Sequence, residues 1–254
     1  MASLARQLIS GALDLVFAPV CVACDRAIPT SDSGRLVCRL CWLQCRPLPS
    51  PRCARCWSPV DPERAPSPGC RTCDEWPASV RAIRSAFVMG EVPRKLVHAL
   101  KYRGWEAAAG PMAARMAEAD WPADVVDEAR LVVAVPTSAT RRRERGYNQA
   151  EALARHFALH TGRVADSTLL VRARSSGTQT ALRPSERAAN VARAFAVPPE
   201  RAGELRGEHV LLVDDVWTTG ATALACAAAL LDAGARVASV ATFARVVPEL
   251  ARQA

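Results

Sequence analysis

Nine of the ten cysteines lie between Cys21 and Cys73, and eight of them form a duplicated pattern. The first set is Cys21-x2-Cys24-x13-Cys38-x2-Cys41; the second is Cys53-x2-Cys56-x13-Cys70-x2-Cys73, each member 32 residues after its counterpart. Two cysteines separated by two residues wrap both thiolates around one metal ion, and two such knuckles complete the tetrahedral sulfur shell that suits zinc. Disulfides fit less well, because the x2 spacing is poor for a structural bridge and no secretion signal points to an oxidising compartment. The pattern therefore predicts two structural zinc ions. Duplication favours sequential sites, each module closing on itself, while an interleaved pairing of alternate knuckles uses the same eight residues.

The linking sequence, "RPLPSPRCARCWSPVDPERAPSPG", has almost no apolar periodicity, so this unit cannot fold on a core of its own and must draw on metal binding. Cys45 stands outside the repeat, with Pro77 at its counterpart, and reads as a free thiol. Cys226 lies alone in an alanine-rich helical pattern and reads as buried.

A chain of 254 residues holds such an appendage plus one medium domain. Residues 1–20 read as a short amphipathic helix with Leu4, Leu8, Leu15 and Val16 inward. Asp14 interrupts its apolar run, Pro19-Val20 is a poor cleavage site, and no run reaches the ~20 apolar residues that span a bilayer. A cytoplasmic protein is expected. The net charge of +8 concentrates beyond residue 80, with its densest run at "RRRERG", residues 141–146. That balance suits phosphate-bearing ligands without identifying one.

From residue 79 onward strand and helix signals alternate. "VRAIRSAFVMG", "ARLVVAVP", "EHVLLVDDV" and "ARVASVATFARV" read as strands. "VPRKLVHALKYRG", "WEAAAGPMAARMAEA" and "YNQAEALARHFALHTG" read as helices. Continuous β-branched runs between helices predict an α/β fold with a parallel sheet covered on both faces. Ligands of such sheets bind beyond the carboxyl ends of the strands.

In "VLLVDDVWTTGATALACAAAL" residues 210–213 read as a buried strand that ends at Asp214 and Asp215. Thr218, Thr219, Gly220, Ala221 and Thr222 then form a turn into a helix with an expected apolar stripe of Leu224, Ala228 and Leu231. Free amides and the positive end of the helix dipole make a phosphate cradle, which Gly220 lets a ligand approach closely. Two carboxylates beside a phosphate require hydroxyls or a divalent cation, and a ribose 5-phosphate supplies both partners. A nucleotide hydrolase needs G-x4-G-K-[ST], absent here. A phosphorylation receiver needs far more chain after its acidic pair than the 39 residues that follow Asp215. A simple helix cap explains one polar residue, not five.

These residues resemble the phosphoribosyl pyrophosphate motif of type I phosphoribosyltransferases. "VPTSATRRRERGYNQAEALA", "LKYRG" and the cysteine duplication resemble the ComF family, also described as GntX or amidophosphoribosyltransferase-like. The resemblance implies a type I phosphoribosyltransferase fold over residues 79–254 behind a double zinc ribbon over 21–78. It also implies site residues. Asp214 and Asp215 hold the ribose hydroxyls with magnesium, flanked by Val213 and Val216, and residues 218–222 hold the 5-phosphate. Pro136, Thr137 and Ser138 correspond to the pyrophosphate loop, with Arg141, Arg145, Gly146, Asn148 and Gln149 beside it and Lys101 and Arg103 contributing. Thr178, Gln179, Arg187 and Asn190 match a hood that closes over the reacting centre.

Thr218 departs from purine-salvage members, which carry an acidic residue there, so the acceptor is unassigned. Two functions follow from the resemblance. One is a phosphoribosyltransferase linked to natural competence and DNA uptake. The other is a non-catalytic adaptor that binds single-stranded DNA and works with a competence helicase or DNA-processing proteins. Trp42, Trp57 and Trp76 stack bases if exposed and pack the ribbons if not.

Overall fold

The computed structural model describes residues 19–29, 36–61, 70, 72–172 and 194–248. The expected helix over residues 1–20 and the hood residues Thr178, Gln179, Arg187 and Asn190 lie outside the described residues, apart from the last two positions of that helix. Among the described residues no helix is long and apolar enough to cross a membrane.

Five parallel strands form the central sheet, in the order β1 (Val80–Val88), β7 (Val237–Arg245), β6 (His209–Trp217), β2 (Leu131–Ala134), β3 (Val164–Asp166). The apolar runs of β6 and β7 occupy its centre, as expected of strands covered on both faces. A second, two-stranded sheet pairs β4 (Val171–Arg172) antiparallel with β5 (Phe195–Ala196). The helices are α1 (Arg39–Gln44), α2 (Glu91–Tyr102), α3 (Ala109–Ala117), α4 (Ala123–Glu128), α5 (Ala139–Arg145), α6 (Gln149–Thr161) and α7 (Ala221–Asp232).

Local chemistry sets these boundaries. α2 carries Glu91 in its first turn and Lys101 in its last, complementing the helix dipole, and buries Val92, Leu96, Val97 and Leu100 at helical spacing. α6 starts where Asn148 Oδ1 accepts from Ala150 N at 3.1 Å and ends at Gly162. Phe157 of α6 and Phe243 of β7 are fully buried on the layers beside the sheet.

Two expectations are corrected. β6 does not stop at Val213 but runs to Trp217, because its pairing with β7 continues through Asp214↔Thr242 to Trp217↔Arg245 after the pairing with β2 ends at Ala134↔Val213. The buried face of α7 is Ala223, Cys226, Ala227 and Leu230, with Ala228 exposed, so the stripe is displaced by one residue. In a helix this rich in alanine the apolar contrast is too weak to fix the phase.

The double ribbon lies along β1. As an edge strand β1 presents unpaired amides to one side, and the ribbon takes them: Ile83 N donates to Arg55 O at 2.9 Å and Val88 N to Arg46 O at 2.8 Å. Side chains complete the seam. Arg84 donates to Ala54 O at 3.1 Å and Arg55 O at 3.3 Å, and Arg55 returns bonds to Val80 O at 2.9 Å and Cys73 O at 2.8 Å.

Candidate functional site: an aspartate pair and a glycine loop at the sheet's switch point

β2 and β6 are neighbours, yet the chain leaves β2 toward β3 and leaves β6 in the opposite direction toward β7. The crevice at their carboxyl ends is thus a topological switch point, where open α/β sheets bind ligands. Two loops border it, residues 136–138 entering α5 and residues 218–220 entering α7.

Successive residues of a strand face opposite sides of the sheet, so adjacent aspartates diverge. Asp215 is 3% exposed and pairs with Lys101 Nζ of α2 at 2.6 Å. Asp214 lines a small concavity of about 40 Å³ together with Val216, Thr218, Gly220, Thr222 and Thr242. Burial lifts the Asp214 carboxyl to about 8, the Asp215 charge acts in the same direction, and Lys101 opposes both. One carboxylate is neutralised by a lysine. The other, Asp214, faces the concavity and is the member placed to meet a hydroxyl or a cation there.

Gly220 is required twice over. Its φ of +81° is one that side chains rarely adopt, and an added Cβ would fall 2.1 Å from Cζ2 of Trp217. The loop is drawn tightly over that indole, which is itself 2% exposed. Gly220 offers no side chain to cap α7, a helix of twelve residues; Ala221 N donates to Thr219 Oγ1 at 3.4 Å, which leaves the next amides of its first turn for a ligand.

The second loop is built differently. Ser138 Oγ accepts from Arg141 N at 3.3 Å and starts α5, which buries none of its residues. Gly146, at φ 82°, ends it. Tyr147 Oη donates to Leu100 O, tying this turn to α2. Asn148 and Gln149 are buried, and their side chains serve the fold: Asn148 Nδ2 donates to Val135 O at 3.2 Å, and Gln149 Oε1 accepts from Arg145 Nη1 at 2.7 Å. Arg145 also lies 5.0 Å over the exposed Tyr102 ring. Arg141 is exposed, and Arg103 reaches Asp25 of the first ribbon at 3.6 Å. Lys101 is thus brought to the aspartates, while Arg103 is turned to the ribbon. Trp217, Thr242 and Tyr102 escaped the sequence reading. Only Trp217 left a trace, as a large aromatic within an otherwise small and polar loop.

The cysteines form two groups, Cys21, Cys24, Cys38, Cys41 and Cys53, Cys56, Cys70, Cys73, with the sulfurs of each within 4.8 Å of one another. Pairing is therefore sequential. A tetrahedral shell with Zn–S of about 2.3 Å sets the sulfurs about 3.8 Å apart. The observed separations include 3.7 Å for Cys21–Cys41, 3.9 Å for Cys24–Cys38, 3.7 Å for Cys53–Cys73 and 3.8 Å for Cys70–Cys73. The clusters fit two structural zinc sites. Cys45 is buried, its thiol donating to Cys41 O at 3.4 Å, and burial pushes it up to about 12.

The three ribbon tryptophans are packed. Trp42 meets Phe87 and Phe243 at 6.1 and 6.4 Å, Trp57 lies between Arg52 and Arg84 at 4.1 Å each, and Trp76 meets Trp217 at 5.5 Å.

Residues 12–76 match the double zinc ribbon domain and residues 143–253 the phosphoribosyl transferase domain. The chain is 29% identical over 224 residues to the DNA utilization protein YhgH of Salmonella typhimurium, covering 87% of this chain and 94% of that one. It is 23% identical over 239 residues to the competence protein ComFC of Bacillus subtilis, covering 88% and 93%. Among solved structures, orotate phosphoribosyltransferase from Aeropyrum pernix aligns with a TM-score of 0.34 at 17% identity, over 66% of this chain and 82% of that one. The glutamine phosphoribosylpyrophosphate amidotransferase of B. subtilis aligns with a TM-score of 0.38 at 20% identity, over 53% of this chain and 26% of that one. A parallel sheet with a phosphoribosyl transferase domain match, carried behind a double zinc ribbon, defines the class of protein. With relatives named for competence and DNA utilization, that combination is consistent with the ComF family.

Proposed function

We propose that this chain binds phosphoribosyl pyrophosphate with magnesium in the cytoplasm and works as a phosphoribosyltransferase in competence or DNA utilization. The observation that carries the reading is the loop of Gly220 drawn over Trp217 beside a diverging aspartate pair, one member of which is held by Lys101. In this reading the amides and hydroxyls of Thr218, Thr219, Ala221 and Thr222 receive the 5-phosphate. Asp214 meets the ribose hydroxyls from the concavity, and Asp215, paired with Lys101 Nζ at 2.6 Å, supports it from the other face of the strand. Residues 136–138, Arg141 and Arg145 bind the pyrophosphate as it leaves, the forked guanidinium matching its oxygens. Thr178, Gln179, Arg187 and Asn190 exclude water from the reacting carbon. Magnesium, when bound, would neutralise charge developing on the leaving group, and Asp214 and Asp215 are the residues that would hold it with the ligand.

Calorimetric titration of the zinc-loaded protein with phosphoribosyl pyrophosphate and magnesium tests this. Saturable binding is expected, lost in the Asp214→Asn/Asp215→Asn variant. Absence of binding by the folded wild-type protein would overturn the reading. It would favour a second one, a single-stranded-DNA adaptor, whose support is the exposed arginine run on α5 and the names of the competence and DNA utilization relatives. That alternative expects salt-sensitive single-strand binding that survives the aspartate change and weakens when Arg141 and Arg143 are removed.

A further inference from the structure

Trp217 touches three things at once. Its six-membered edge lies beneath Gly220, where an added Cβ would come within 2.1 to 2.8 Å of three of its atoms. One neighbour of the indole is the Trp76 ring at 5.5 Å, and the Arg245 guanidinium lies 5.3 Å from its centroid. Both neighbours belong to the second cysteine cluster's surroundings. Trp76 N donates to Cys73 O at 3.2 Å, closing the turn that follows the last ligand, and Arg245 donates to Cys56 O. Backbone contacts brace the same point, since Val246 N donates to Trp217 O at 2.9 Å and Met89 N to Arg245 O at 2.7 Å. The first cluster's tryptophan, Trp42, stands two residues earlier in its module and packs on Phe87 and Phe243 instead.

A bulky side chain directly under a glycine leaves the loop no room to sink, and packed interiors transmit such displacements because they are close-packed. Trp217 is held from its other side by Trp76, whose turn follows the last cysteine of the second cluster, and by Arg245 of β7, whose guanidinium bonds that cluster's Cys56 carbonyl. We infer that Trp217 is a positioning residue for the glycine loop, and that Trp76 and Arg245 make the second zinc ribbon, but not the first, a structural part of the ligand site. The inference rests on the loop being the proposed phosphate site for its functional meaning, not for its mechanics. Binding at the loop and metal retention at Cys53, Cys56, Cys70 and Cys73 are then linked, each favouring the other.

The test uses the full zinc-loaded chain and the variants Trp76→Ala and Trp76→Phe, with hydrogen exchange followed in peptides from the end of β6 and the first turns of α7, and in α6 as a folding control. Trp76→Ala should speed exchange at the β6–α7 turn with α6 unchanged, Trp76→Phe should restore it, and phosphoribosyl pyrophosphate binding should weaken roughly 5-fold or more in step. Zinc release to a chromophoric chelator gives the reciprocal readout: the ligand should slow one of the two ions. Unchanged exchange at the turn in Trp76→Ala overturns the inference whatever the titration shows. Faster local exchange in a protein whose wild type binds no ligand supports the mechanical link and sinks the proposed function alone.

Discussion

The two cysteine modules have nearly the same backbone and opposite relations to the rest of the molecule. Asp25 and Trp57 occupy equivalent places after their knuckles, and both adopt positive φ, 56° and 62°. The bridges Val20↔Ala27 and Arg52↔Pro59 repeat the same register. Asp25 reaches Arg103 across an open surface, with their side chains 69% and 46% exposed. Trp57 is clamped between Arg52 and Arg84, and Arg84 is 4% exposed and donates to three carbonyls of the second ribbon and β1 plus Asp120 O. Duplication preserved the metal-binding fold. At this pair of equivalent positions the first module keeps an exposed ion pair and the second a tryptophan stacked on a buried guanidinium.

The largest effect that can break this contrast is metal loss. Structural zinc contributes on the order of 10–16 kcal/mol in isolated modules. Cys73→Ser should therefore lower the melting temperature of the whole chain, whereas Cys24→Ser should release one ion and leave most of the transition in place. Equal losses would erase the distinction. Next comes Arg84→Met, which strands several buried carbonyls and should cost about 1–3 kcal/mol for each one left unsatisfied, read in denaturant unfolding. Burial lowers the Arg84 guanidinium to about 10, and buried carbonyls are what keep it in place. Gly220→Ala should cost about 1–3 kcal/mol from its positive φ, abolish phosphoribosyl pyrophosphate binding, and speed zinc release from the second module alone.

The aspartate pair repeats the contrast on a smaller scale, one member bound and the other facing an open concavity. Asp214 rises from 3.8 to about 8 on folding, so its contribution to stability is complete below 3.8 and is lost as pH climbs toward 8. Asp214→Asn should flatten that decline in melting temperature. Binding that requires the ionised carboxylate should strengthen up to about tenfold per pH unit below 8, read by calorimetry. The smallest effect is expected at Arg115→Ala beneath Trp42 of the first module, about 0.5–1 kcal/mol at most.

Much of this was legible in the residues. The cysteine spacing carried the duplication down to individual hydrogen bonds, because metal ligation fixes local geometry without help from distant contacts. The strand–helix alternation and the Asp214–Thr222 segment located the sheet's binding end. α5 was missed because a helix that buries nothing has no apolar period, and β3 because three residues give no pattern. The extra length of β6 and the role of Trp217 depend on β7 and on Arg245, contacts between distant parts of the chain that a local reading does not contain.

The strand order has a consequence for how the chain is made. β1 is synthesised first among the sheet strands and β7 last of those described, yet β7 sits between β1 and the rest. While the ribosome is still at work, the ribbons already shield one side of β1, and its other side waits for a strand that does not yet exist. Docking of the amino-terminal third onto the nascent β2–β3–β6 sheet is therefore a late event, and stalling before β7 would leave two half-built, sticky bodies for chaperones to hold.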